Sequence, residues 1–161
     1  MYQALHRCLF ALVLAGVAFL GGIPVPAVAE DQDAIRPSLA DLMMLTQLRH
    51  LKLWYAGRTE NWRLASYELD QLQGTVDRTL KLYPSTSSVA QASGIRKNTE
   101  PVLADLRRAI SDENNSRFEA AYIRITAACN QCHQAAGFGF IVVQVPTKSP
   151  FNNQLLGLPV R

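Results

Sequence analysis

The sequence predicts an all-α protein, an up-down four-helix bundle followed by an extended C-terminal tail. Three observations predict it. Apolar residues recur at helical spacing through four stretches between residues 35 and 137. The connections between those stretches are short and rich in Pro, Gly, Ser and Asn, which implies antiparallel neighbours. From Phe138 onward the pattern gives way to β-branched residues and three prolines, which argue for extended chain rather than a fifth helix.

The opening segment stands apart from the fold. "MYQALHRCLFALVLAGVAFLGGIPVPAVAE" has a short start carrying Arg7, an apolar run from Leu9 to about Gly22, two prolines and the small-x-small triplet Ala27-Val28-Ala29. That is the layout of a secretory signal peptide, with cleavage expected between Ala29 and Glu30. A membrane anchor is the competing reading, but the run falls short of the ~20 residues needed to span a bilayer. No twin-arginine pair precedes it, so the Sec route is expected. Residues 1–29 are therefore read as a leader, 30–137 as the bundle and 138–161 as the tail.

Removal of the leader takes away His6, Cys8 and Met1, leaving Cys129 and Cys132, His50 and His133, and Met43 and Met44. Losing Arg7 takes the basic residues from 16 to 15 against 13 acidic ones, a formal charge of +2. So small and scattered an excess excludes a nucleic-acid footprint. About 130 residues remain, enough for one domain with one core.

The first helix is read over 35–56, with Pro37 and Ser38 as start signals and Gly57 as the stop. Leu39, Leu42, Met43, Leu45, Leu48, Leu51, Leu53 and Trp54 surround most of it, which suits a helix facing the core and a second apolar partner. The second runs from Asn61 to Tyr83, where Trp62, Ala65, Leu69, Leu72, Val76, Leu80 and Tyr83 form one stripe, and Pro84 stops it. "PSTSS" is then a polar loop. Val89, Ala92 and Ile95 suggest a helical piece, and Val102, Leu103, Leu106 and Ile110 a firmer one. Pro101 either starts that second piece or kinks one longer helix. The fourth helix begins near "SDENNS", where Asn114, Asn115 and Ser116 are all candidate caps, and runs through Phe118, Tyr122, Ile125 and Cys129 to Gly137.

That last helix contains "CNQCH". Cys129 and Cys132 are three apart and His133 is four from Cys129, so all three project from one face. Covalent haem attachment needs two thiols to add across two vinyl groups, with an imidazole beside them for the iron. The alternatives fare worse. A tetrahedral zinc site needs four ligands, and outside the motif only His50 and carboxylates are on offer. A thioredoxin-like dithiol would begin a helix after a strand, and no βαβ pattern is present. A disulfide between i and i+3 closes a very short loop and stabilises little.

A leader, four helices and a C-x-x-C-H on the last of them resemble the class II c-type cytochromes, the cytochrome c′ and low-spin cytochrome c-556 group. The resemblance covers roughly residues 35–137 and is specific at Cys129, Cys132 and His133. It implies one covalent haem c, His133 as proximal ligand to the haem iron, attachment outside the cytoplasm and a periplasmic location. It also implies a distal residue on the first helix about two turns before "AGRTENW", which lands on Arg49 and His50, and pairing of two copies through the first two helices. The chain departs from the group in offering a histidine there, and in its tail.

Three distal candidates follow. His50 would give bis-histidine iron; it could equally be a surface histidine near a propionate. Met43 lies about 10 Å from it along the helix, so both cannot serve one iron; for Met43 and Met44 core packing is the competing role. The third is an open, five-coordinate iron that binds small gases such as NO or CO. Arg49, Lys52, Arg58 and Arg124 are candidates to pair with propionates. Trp54, Trp62 and Tyr122 are expected to pack the core or line the haem. Phe138, Phe140 and Phe151 are expected to anchor the tail. If they shield a haem edge from water they would raise the reduction potential.

The function expected is therefore an exported mono-haem electron-transfer protein working with redox partner proteins. The alternatives are a gas-binding cytochrome c′-like protein, and a module that uses haem as a staple and binds a protein through its tail. No pair of catalytic carboxylates, and no nucleophile with a base, stands out, so no enzymatic turnover is expected. Neither nucleic acid nor, after cleavage, a membrane is expected as a partner.

Overall fold

The computed structural model describes residues 36–84, 87–151 and 153–158, and of residues 87–98 it describes the backbone. The expected leader lies outside the described residues. Among the described residues the regular structure is four helices and no strands.

Helix α1 spans Leu39–Arg58. It starts at a capping box. Ser38 Oγ accepts from the Asp41 N–H at 3.1 Å and the Asp41 carboxylate accepts from the Ser38 N–H at 3.1 Å, so two otherwise orphaned donors are satisfied. The helix does not stop at Gly57. That residue is helical and buried, and a Cβ built on it would come within 2.2 Å of the Phe118 ring. Gly57 is there for the close approach of another helix.

Helix α2 spans Trp62–Leu82, capped by Asn61, whose Oδ1 accepts from the Leu64 N–H at 3.3 Å. Helix α3 spans Ser87–Ser111 as one element with Pro101 inside it, so of the two readings of that proline the longer helix holds. Helix α4 spans Asn115–Ala135, capped by Asn114, whose Oδ1 accepts from the Arg117 N–H at 2.9 Å. It ends two residues before Gly137. The Gly137 N–H donates to the Gln134 carbonyl at 3.1 Å and the Phe138 N–H to the His133 carbonyl at 2.7 Å, with Gly137 at φ 80°. This is a Schellman closure, and glycine takes its left-handed position without a Cβ penalty.

The helices pack as a bundle: α1 on α2, α2 on α3, α3 on α4, and α4 more lightly on α1. Leu53, Ala56, Ala65, Leu69, Leu72, Leu106, Ala109, Ile110, Phe118, Ala121, Tyr122, Ile125 and Ala128 form one core. Trp54 and Trp62 flank Phe118, with ring centroids 6.3 and 6.1 Å away. Trp54 faces Phe118 and Tyr122, while His50 faces Tyr122 and Thr126. Moving back along α1 thus moves forward along α4, and the two run antiparallel.

Beyond α4 the chain turns back through a bond from the Ile141 N–H to the Phe138 carbonyl at 2.8 Å. It then touches both α4 and α1. Asn130 holds Val143, Val145 packs on the core, and the Lys52 ammonium lies 5.5 Å above the Phe151 ring. Leu156 is buried, and its carbonyl accepts from Thr59 at 3.1 Å and from Asn61 at 3.3 Å. Phe138 and Phe140 are not the anchors expected of them. They lean on each other at 6.1 Å and are exposed, Phe140 at 80 %. The polar side chains of Asn130, Thr59 and Asn61, bonded to tail backbone, hold the segment instead. No helix among the described residues is long and apolar enough to cross a membrane.

Candidate functional site

The site is assembled from the C-terminal half of α4. Residues Tyr122, Thr126, Cys129 and His133 step by four, three and four, which makes one stripe on that helix. Its first two members meet α1, and its last two are half-buried.

At the buried end, the His50 ring stacks on Tyr122 with centroids 4.4 Å apart. Nε2 lies 2.9 Å from Thr126 Oγ1 and Nδ1 lies 2.8 Å from the Tyr122 hydroxyl. Tyr122 also reaches the His50 carbonyl at 2.9 Å, and Thr126 the Tyr122 carbonyl at 2.9 Å. Burial pulls the His50 pKa down to about 4, so the ring is neutral at physiological pH. A neutral imidazole donates from one nitrogen and accepts at the other, and each hydroxyl has one proton, so the hydroxyl facing the bare nitrogen donates to the ring rather than to its carbonyl. Burial, and after it Cys129 and Tyr55 nearby, push the Tyr122 hydroxyl well above the usual phenol range.

At the other end stand Cys129, Cys132 and His133. Both cysteines are free. Burial, and next the neighbouring Cys132, push the Cys129 thiol up to about 11, and burial raises Cys132 as well. The pair is held as thiols rather than thiolates. His133 Nδ1 lies 2.7 Å from the Ile141 carbonyl of the returning tail. Among the described residues no three His, Cys, Asp or Glu side chains converge as a set that could hold a bare metal ion. Two thiols and an imidazole in a row suit a planar group fixed along one helix face, and in that sense the residues fit haem c.

The distal candidates separate by level. His50 sits opposite residues 122–126, and both of its ring nitrogens already have partners on α4. Seven residues back along α1 is about 10 Å, and seven forward from Thr126 along α4 is the same distance. With the helices antiparallel, that step brings Met43 to the level of His133. Met43 is half-buried, whereas Met44 is 64 % exposed.

Three of the four cations considered for propionates are engaged with carboxylates. Arg49 meets the buried Glu68 at 3.1 Å, Arg58 pairs with Glu119, and Arg124 meets Asp105 at 2.9 Å. Lys52 covers Phe151. Trp54, Trp62 and Tyr122 all pack on or in the core. A surface hollow of about 270 Å³ between α3 and α4, lined by Asp105, Arg108, Arg117 and Arg124, includes none of the motif residues.

Two features escaped the sequence reading. The stripe at 122, 126, 129 and 133 was there to be found by helical spacing. The contacts of Asn130 and His133 with the tail were not, because nothing in sequence spacing fixes how a non-helical segment folds back. The chain matches no protein-family model, no curated protein and no solved structure.

Proposed function

We propose that the protein is an exported, mono-haem c-type cytochrome of the class II kind that transfers electrons between redox partner proteins in the periplasm. The bundle is then of the up-down type, with haem c attached to its last helix through Cys129 and Cys132 and the extended tail lying along it. One observation carries this reading. Cys129, Cys132 and His133 share one face of α4, both thiols are free, and the His133 Nδ1 is engaged by a carbonyl, which leaves Nε2 to ligate. Haem supplies a one-electron exchange between ferrous and ferric iron, and the protein's part is to fix ligands, burial and hydrogen bonding around it.

On this reading His133 is the proximal ligand and Met43 the distal one, because Met43 shares its level. His50 keeps its place in the buried network. The runner-up is a five-coordinate, gas-binding protein of the cytochrome c′ kind. It is favoured by the same fact that His50 is already bonded to Tyr122 and Thr126. Carbon monoxide distinguishes them. The ferrous protein is expected to ignore carbon monoxide, Met43→Ala to take it up readily, and His50→Gln to behave as the parent does. Ready uptake by the parent would leave the gas-binding reading standing and remove the sixth ligand.

A further inference from the structure

A closed set of hydrogen bonds surrounds the start of the tail. The Phe138 N–H donates to the His133 carbonyl at 2.7 Å, and the Ile141 N–H donates to the Phe138 carbonyl at 2.8 Å. The Ile141 carbonyl then meets the ring of the same His133 at 2.7 Å from Nδ1. The path leaves His133 through its main chain and returns to it through its side chain. Just beyond, Asn130 grips the strap. Its Nδ2 donates to the Val143 carbonyl at 2.9 Å, and its Oδ1 accepts from the Val143 N–H at 2.8 Å. An amide bonded to both main-chain groups of one residue acts as a strand neighbour would, and fixes that residue's position and direction.

We propose that residues 138–143, clamped by Asn130, are a positioning strap for the His133 imidazole. The proposal rests on the reading of His133 as proximal haem ligand. A carbonyl oxygen only accepts, so the proton sits on Nδ1 and the lone pair on Nε2. The strap thereby selects the tautomer that can ligate and aims the ring. The bond from Nδ1–H to the carbonyl also makes the ring a stronger electron donor at Nε2, which favours ferric over ferrous iron. Plain anchoring of the tail does not require this arrangement. Leu156, Thr59 and Asn61 hold the far end already, and the Ile141 carbonyl could face water. Asn130 and the Ile141 main chain are positioning groups.

The test uses the full chain and Asn130→Ala, which removes both bonds to Val143 while improving the helix propensity of α4. In the haem-free chain, ¹⁵N spectra of the histidine rings at mildly alkaline pH should show His133 with its proton on Nδ1. Asn130→Ala should shift it toward Nε2–H, with the His50 signals unchanged. In the haem-loaded chain at a fixed ambient potential, Asn130→Ala should raise the ratio of ferrous to ferric several-fold. The sign matters, because mere exposure of haem to water favours the more charged ferric form and would move the ratio the other way. Should Asn130→Ala not fold, Asn130→Asp, which keeps the bond from the Val143 N–H, serves for the tautomer measurement. A parent chain with His133 protonated on Nε2 would overturn the proposal. So would a variant with unchanged tautomer, or one whose ratio is unchanged or moves toward ferric. A chain that takes up no haem defeats the reading of function, and the tautomer measurement still judges the strap.

Discussion

His50 is a buried histidine whose ring its surroundings keep neutral. In the fold its pKa falls to about 4, from an ordinary value of 6.5, because burial penalises the charged ring. An unfolded chain therefore takes up a proton at this position before the folded one does. Stability is whole above pH 6.5 and is lost as pH falls from there toward 4, by up to about 3 kcal/mol over the window. Thermal unfolding followed by circular dichroism should show that slope, and His50→Gln should flatten it. A parent slope that survives the substitution would assign the effect elsewhere. Arg49 and Glu68 make a second residue-scale case. Glu68 is almost wholly buried and the Arg49 guanidinium lies 3.1 Å from its carboxylate. Arg49→Ala strands that carboxylate, and a cost of about 3 kcal/mol is expected in denaturant unfolding; a loss under about 1 kcal/mol would mean that water reaches it. Gly57→Ala should be comparably harmful, since its methyl would enter the Phe118 ring.

The elements are closed by a repeated device. After α1 the Glu60 N–H donates to the Gly57 carbonyl at 3.0 Å and the Asn61 N–H to the Ala56 carbonyl at 2.9 Å. After α3 the Glu113 N–H donates to the Ile110 carbonyl at 3.1 Å and the Asn114 N–H to the Ala109 carbonyl at 2.9 Å. Each is a Schellman closure, and in each the following asparagine caps the next helix. One three-residue turn thus ends a helix and starts its neighbour, which is why α1–α2 and α3–α4 form tight hairpins. Glu60 and Glu113 stand at φ 57° and 52°, where a side chain is unfavourable. Glu113→Gly should therefore stabilise the protein by about 1 kcal/mol in chemical denaturation; destabilisation would show that the side chain holds something at that turn. The Asn114 cap was among the candidates in "DENNS", and the pattern of four helices was legible too, whereas Asn61, read as the first residue of its helix, is the cap before it. The continuation of α1 through Gly57 was not legible. A glycine at a helix end reads as a stop, and only the neighbouring ring of Phe118 reveals it as a point of close approach.

At the scale of the molecule, α4 and the tail work as one unit. The helix presents Cys129, Cys132 and His133, and the chain that follows returns to bond His133 before running to the turn between α1 and α2. The motif was legible because Cys129, Cys132 and His133 recur at helical spacing, and the helix face follows from that spacing. The choice among the distal candidates on α1 was not legible. His50 and Met43 lie nearly on the same face, and only the antiparallel register, set by Trp54 against Phe118 and His50 against Tyr122, separates their levels. The tail's route was not legible at all, since polar side chains of the helices bonded to tail backbone leave no period in a sequence.

On the function proposed above, the chain carries one haem bound through two thioether bonds. Intact mass spectrometry under denaturing conditions, on the protein expressed in a host that attaches haem c, tests it most directly. The account predicts the mass of residues 30–161 plus one haem, and loss of that addition when Cys129 and Cys132 are both replaced by alanine. The mass of the bare chain, or of a chain lighter by two hydrogens with Cys129 and Cys132 joined, would contradict it.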